Sequence, residues 1–133
     1  MASSMQVPPN GDLVLGLRCI LKEPGHTIWV AKLDERFTNP AGVIQGGYLS
    51  AICDSAMGAS AVTFVKERKV FCSNAELKIS FLRPVYPGEE LTCEATVIKG
   101  GKTVVFVEAE LKNSENLLVA KTSSTYVLSD RKA

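Results

Sequence analysis

The sequence predicts an α+β domain: one antiparallel sheet of about six strands wrapped around one long central helix. Three observations carry this. After residue 25, five strand-like segments are interrupted by a single long apolar stretch. The connections between the later strands are short, which demands antiparallel pairing. The apolar stretch has no charged face, so it reads as a helix covered by the sheet.

The elements follow in chain order. Residues 1–12 carry no Lys or Arg and include Pro8, Pro9, Asn10 and Gly11, so they read as a flexible lead-in and not as a signal peptide. Leu13–Leu21 suggests a first strand. In residues 26–34, Thr27, Trp29, Ala31 and Leu33 alternate with Ile28, Val30, Lys32 and Asp34, a second strand. Asn39-Pro40, Gly42 and Gly46-Gly47 mark residues 35–47 as loop. Tyr48 to Val65 has no Pro and is rich in Ala, Ile, Leu and Met, a helix of four to five turns ended by Lys66-Glu67-Arg68-Lys69. Ala75, Leu77, Ile79 and Phe81 alternate as a third strand closed by Pro84 and Pro87-Gly88. Leu91 to Val97 is a fourth, with Gly100-Gly101 as a two-residue hairpin turn. Thr103–Leu111 and Leu118–Leu128 complete the sheet, joined by a turn at Asn113–Asn116. Residues 13–128 form one domain, and 129–133 are a tail.

Composition excludes several functions. The 133 residues hold 15 basic and 14 acidic side chains, a net charge of +1, with no basic stripe for nucleic acid. The apolar run Leu13–Leu21 contains Arg18 and is far shorter than the ~20 residues a membrane span needs. Cys19, Cys53, Cys72 and Cys93 lack metal or redox spacing. They read as small buried hydrophobes in a reducing cytoplasm. His26, the one histidine, sits at a strand start and offers no metal site and no hydrolase triad. Trp29, Tyr48, Phe64, Phe81 and Phe106 read mostly as core.

One residue does not fit the pattern. From Phe37 to Val65 the only charged side chain is Asp54, inside the apolar helix. A carboxylate there costs several kcal/mol if unpaired, and such groups cluster at functional sites. The alternative is an Asp on an exposed stripe of the helix. The glycine pair adds a second feature. If the helix starts at Gly46, its first N–H groups lack intrahelical partners and can hold an anion or the oxygen of a reacting carbonyl. Simple turn chemistry also explains a Gly-Gly pair. Asp54 follows Gly46 by eight residues, roughly 12 Å along a helix. A single subunit separates the two groups too far for one carbonyl, so a shared site would lie between two symmetric copies.

At these residues the sequence resembles hotdog-fold acyl-CoA thioesterases. The closest branch is the phenylacetic-acid-degradation type within the 4-hydroxybenzoyl-CoA thioesterase superfamily. The run Asn39-Pro40-Ala41-Gly42-Val43-Ile44-Gln45-Gly46-Gly47, with Asp54 seven residues on, matches that family's signature Asn-Pro-x-Gly-x-x-His-Gly-Gly and Asp. A second block, Leu77-Lys78-Ile79-Ser80-Phe81-Leu82-Arg83-Pro84, then Pro87-Gly88, matches in order and separation. The resemblance implies hydrolysis of an acyl-CoA thioester without metal or cofactor, coenzyme A being part of the substrate. It implies Gly46 as oxyanion donor, Asp54 of a partner subunit as general base or nucleophile, and Asn39 as the residue positioning the Asp or the water. Gly47, Tyr48 and Asn74 fall where substrate or reacting water is held. Arg83, Lys99 and Lys102 are candidates for the CoA phosphates. A homodimer or a dimer-of-dimers tetramer is implied, in the cytoplasm, with no nucleic acid and no membrane.

Two positions depart from the family pattern. Gln45 stands where the family has His, and Asn74 where relatives often carry Ser or Thr. Gln can donate a hydrogen bond but cannot titrate. A non-catalytic acyl-CoA-binding sensor is therefore the alternative reading. Hotdog hydratases and dehydratases need a His with an acidic partner, and the one histidine, His26 at the start of a strand beside Gly25, argues against them.

Overall fold

The structure is a computed structural model that describes residues 8–131. Its elements are helix α1 (Asn10–Leu15), strands β1 (Arg18–Glu23) and β2 (His26–Lys32), helix α2 (Gly46–Phe64), and strands β3 (Val70–Phe81), β4 (Glu90–Gly100), β5 (Val104–Lys112) and β6 (Leu118–Asp130). The six strands form one antiparallel sheet in the order β1-β2-β4-β5-β6-β3. The expected sheet around one long helix is what the chain forms.

The connection from β2 to β3 crosses the whole sheet and contains α2, which puts the helix on one face. The buried residues of α2 are Leu49, Ile52, Cys53, Ala56, Met57, Ser60 and Ala61. Their spacing of three and four makes a single stripe. Facing it are the inward positions of β4 and β5, including Cys93, Ala95, Val107 and Ala109, all fully or almost fully buried. Small residues on both sides allow close approach, and burying Ile52 and Met57 is worth about 1.5–3 kcal/mol each. A hydroxyl relay pins the two layers. Thr27 Oγ1 lies 3.0 Å from the Ala56 carbonyl and 2.8 Å from Ser60 Oγ, and that Ser60 hydroxyl donates to the Ala95 carbonyl at 2.9 Å.

Each end of α2 is set by an aromatic ring on a glycine. A Cβ on Gly46 would stand 2.8 Å from Phe81 Cζ. A Cβ on Gly100 would overlap the Phe64 ring. Gly25, with φ of 78°, faces the other side of that ring, its Cβ position 3.0 Å from Phe64 Cδ1. Gly100 and Gly101 do not have positive φ, so the expected two-residue turn is not what requires Gly100. The hairpin closes instead through Gly101 N–H to the Val104 carbonyl, 2.8 Å.

Other boundaries differ from the sequence reading. Leu13–Leu21 is not one strand: Asn10–Leu15 is helical, Gly16 in the left-handed region (φ 65°) stops it, and β1 starts at Arg18. Asp12, expected in the lead-in, is buried and accepts a 2.6 Å bond from Ser55 of α2. Residues 1–7 of that lead-in lie outside the described residues, as do 132–133 of the expected tail, whose first two residues belong to β6. Strand β3 begins at Val70, five residues before the expected alternation, and a bulge between Asn74 and Glu76 shifts that alternation by one residue. Only Cys53 and Cys93 are buried; Cys72 is half-buried and Cys19 exposed. Phe64, Phe81 and Phe106 are 43%, 50% and 44% exposed, not core. Among the described residues, no helix is long and apolar enough to cross a membrane.

Candidate active site

The loop before α2 is built by Asn39. Its side-chain Oδ1 accepts from the N–H groups of Ala41 (2.9 Å) and Val43 (3.3 Å), and its own N–H donates to the Val43 carbonyl (2.8 Å). Gly42 supplies the positive φ of 82° this turn requires. The loop is then tied on both sides, Ile44 N–H to the Val85 carbonyl (2.8 Å) and Gln45 N–H to the Phe37 carbonyl (2.9 Å). This frame delivers the chain to the start of α2 in a fixed direction. Asn39 thus holds the loop, and within one chain it has no bond to Asp54.

At Gly46 and Gly47 the N–H groups meet no hydrogen-bond partner among the described residues. They carry the positive end of a 19-residue helix. Gln45 is exposed and its amide makes no capping bond. Beside this helix start lies a groove of about 440 Å³ lined by Val43, Leu49, Phe81, Arg83 and Val85 among others. Most of the lining is apolar, and Arg83 is tied to the Leu118 carbonyl at 2.9 Å. Tyr48 is not part of the lining. Its ring stands edge-on to Phe37 with centroids 4.9 Å apart. Lys99 and Lys102 lie at the opposite end of α2, where Arg68 bonds the carbonyls of Gly101 and Lys102.

Asp54 is exposed in the single chain, not buried as the apolar helix suggests. Its distinction is its partners. Asn74 Nδ2 donates to Asp54 Oδ1 at 2.9 Å, and the Tyr126 hydroxyl lies 3.3 Å from the same oxygen and from the Asp54 carbonyl. The bulge in β3 aims Asn74 inward, and the Glu76 N–H donates to Asn74 Oδ1 at 3.2 Å, which fixes the amide's direction. Ser124 Oγ takes a longer bond from the same Nδ2, 3.3 Å. Oδ2 of Asp54 has no hydrogen-bond partner among the described residues. Burial, then the charge of Asp54, pushes the Tyr126 phenol far above its ordinary pKa, so it stays protonated and remains a donor.

The structure therefore brings Asp54 and Asn74 together, and Gln45, Gly46 and Gly47 together, as two places on one helix. It does not bring the two places into contact. Tyr126 and Ser124 were not singled out from the sequence. Their signal is there: Thr122, Ser124 and Tyr126 occupy successive inward positions of β6, where hydroxyls need partners. His26 has acidic partners, Glu94 at 2.6 Å and Glu23 at 3.7 Å. It lies on the far face of the sheet, since its neighbour Thr27 is the residue facing α2. Among the described residues, no group of three or more His, Cys, Asp or Glu could hold a metal.

Comparison with known proteins identifies the fold and the family. The PaaI protein of the Escherichia coli phenylacetic acid degradation operon superposes with a TM-score of 0.84, covering 95% of this chain and 86% of that one at 21% identity. A Streptococcus mutans protein solved with acetyl CoA gives a TM-score of 0.82 over 99% and 98% of the two chains, at 20% identity. Both establish the hotdog fold. Human acyl-coenzyme A thioesterase 13 is 29% identical over 105 residues, 78% of this chain and 74% of that protein. The model of the thioesterase superfamily matches residues 41–120, which hold the loop from Ala41 onward, all of α2, Asn74 and the groove. With more than half of its length matched, the chain belongs to the thioesterase superfamily.

Proposed function

We propose that the protein hydrolyses acyl-CoA thioesters to the free acid and CoA. The observation that carries this is a carboxylate held by one oxygen, on the same helix whose first two N–H groups are open. In this reading the thioester carbonyl oxygen lies against the Gly46 and Gly47 N–H groups. Negative charge grows on that oxygen as the tetrahedral intermediate forms, and one such donor is typically worth about 3–4 kcal/mol there. Asp54 takes a proton from water that adds to the carbonyl carbon, or adds to that carbon itself. In the first case the carbon–sulfur bond then breaks, Asp54 returns its proton to the sulfur, and the acid and the CoA thiol leave; in the second CoA leaves from an acyl–Asp54 anhydride, which water hydrolyses to the acid, its proton going to the thiolate.

Asp54 and Gly46 are roughly 12 Å apart along their helix. The reading therefore takes Asp54 from a second copy, in a homodimer with two equivalent sites. The unpaired long edge of β3 and the exposed side of α2, with Tyr48 and Val62 at 37% and 49% exposure, are the surfaces available for that contact. Gln45, whose side-chain amide has no hydrogen-bond partner among the described residues, donates to the thioester oxygen where a His would in most relatives. Asn39 acts through the loop it holds. The apolar groove takes acyl or pantetheine atoms, and Arg83 at its rim faces CoA phosphate. Coenzyme A in the S. mutans neighbour's crystal, as acetyl CoA, and the name of the human relative support this substrate class. Four free cysteines suit a reducing cytoplasm.

The test is thiol release from short, medium, long and aromatic acyl-CoAs, comparing wild type with Asp54→Asn. Turnover by the wild type and near-complete loss in a folded Asp54→Asn variant is expected. Saturable acyl-CoA binding with no turnover would replace hydrolysis by the sensor reading, which Gln45 favours.

A further inference from the structure

We infer that Tyr126 is a positioning residue for Asp54: its hydroxyl and the Asn74 amide together hold Oδ1, leaving Oδ2 as the oxygen presented to water or to the thioester carbon. This rests on the hydrolysis reading and goes beyond it, because neither the family signature nor the sequence blocks include Tyr126.

The geometry makes the case. Tyr126 is 3% exposed, deep between β6 and α2. A buried phenol needs one acceptor for its proton, and the atoms in reach belong to Asp54: Oδ1 and the main-chain carbonyl, both at 3.3 Å. That carbonyl lies in the interior of α2 and already serves the helix ladder, so the carboxylate is the stronger acceptor. The phenol sits tight on the helix here. A Cβ on Gly58, one turn after Asp54, would already touch the hydroxyl at 3.5 Å. Glu76 N–H, bonded to Asn74 Oδ1, turns the Asn74 Nδ2 toward the carboxylate. Two donors from two different strands, β3 and β6, therefore meet at one carboxylate oxygen. A side chain fixed in this way has one oxygen for orientation and one for chemistry. A lone donor would let the carboxylate turn about its Cβ–Cγ bond and spread its population over unproductive directions.

The experiment compares wild type, Tyr126→Phe, Asp54→Asn and the double variant in steady-state thiol release, with thermal unfolding to confirm the fold. Tyr126→Phe is expected to lower kcat about tenfold, the cost of one modest hydrogen bond to a charged group, with KM changed less than about twofold. In the Asp54→Asn background the same change is expected to do nothing further. An unchanged kcat, a loss expressed only in KM, or full additivity in the double variant would each overturn the inference. A second measurement needs no turnover. The chain has three tyrosines, so 13C-labelled tyrosine gives three resolvable oxygen-bearing ring carbons. Replacing Asp54 by Ala moves the Tyr126 signal if the phenol is bound to the carboxylate. An unmoved signal refutes the contact, whether or not the protein hydrolyses thioesters. Failure of wild type to hydrolyse any acyl-CoA would instead remove the functional reading and leave this contact to the resonance alone.

Discussion

Replacing Gly100 by Ala tests how the far end of α2 is held. The new Cβ overlaps Phe64 Cε2 and stands 2.6 Å from Cζ and 3.0 Å from Cδ2. Carbon atoms pack at about 3.5–4.0 Å. The ring must therefore withdraw by roughly 1 Å or more, and Gly25 on its other side blocks retreat in that direction. The open route is outward, toward the solvent that already touches 43% of the side chain. Ejecting the remainder uncovers on the order of 100 Å², or about 2.5 kcal/mol at ~25 cal/mol per Å². Trading Gly for Ala returns up to about 1 kcal/mol of unfolded-state entropy. The expected net loss is about 1.5 kcal/mol, a fall in Tm of roughly 4–8 °C for a domain of this size. Urea and thermal unfolding measure it directly. The decisive control is the cycle with Phe64→Ala: without the ring, Gly100→Ala should be neutral or stabilising. An unchanged Tm in the single variant, or an equal loss in both backgrounds, would refute the packing argument.

Three further predictions follow from the loop, the helix start and the outer face of the sheet. Asn39→Ala removes the acceptor for two loop N–H groups; it should cost about 1 kcal/mol in urea unfolding and depress kcat more than KM, because the Gly46 and Gly47 donors lose their frame. Gln45→His changes an exposed side chain without a capping role, so stability should stay within about 0.5 kcal/mol while the thioesterase rate changes; an unaltered rate at every pH would mean that this side chain does not meet the substrate. The hydrogen bond to Glu94 raises the His26 pKa above 6.5, with Glu23 adding to it. The folded state thus holds that proton more tightly than the unfolded state, so the stabilisation is full below pH 6.5 and fades as pH rises through the folded-state value. Glu94→Gln should lower stability by about 0.5 kcal/mol at pH 5.5 and by almost nothing at pH 8.5.

Much of the fold could be read because its signals are local. Alternation placed β2, β4, β5 and β6, and the uncharged run from Tyr48 to Val65 placed α2. The reading failed where one residue changes the phase or the direction of the chain. The bulge at Asn74 hid the first half of β3, and Gly16, as a left-handed stop, turned half of an apparent strand into α1. Asn39, Gln45, Gly46, Gly47 and Asp54 stood out through motif and isolation, since a lone acid in an apolar helix is visible at any depth. Its exposure was not visible, because a helix that is apolar all round looks the same whether the sheet or something else covers its second side. Tyr126 stayed hidden for a different reason. It meets Asp54 only where α2 packs against β6, and no spacing in the chain encodes that distance.

The four thiols form a graded series: Cys19 exposed, Cys72 half-buried, Cys53 and Cys93 sealed between helix and sheet. Any reagent that detects CoA by its sulfur will also react with Cys19, and the protein's own signal has to be subtracted before a slow rate can be trusted. The same property turns the chain into a clock for its own motions. Cys72 lies on the inward side of β3, two residues from Asn74, so its labelling times the loosening of that edge. Cys53 and Cys93 label only when α2 lifts from β4, which times the opening of the core.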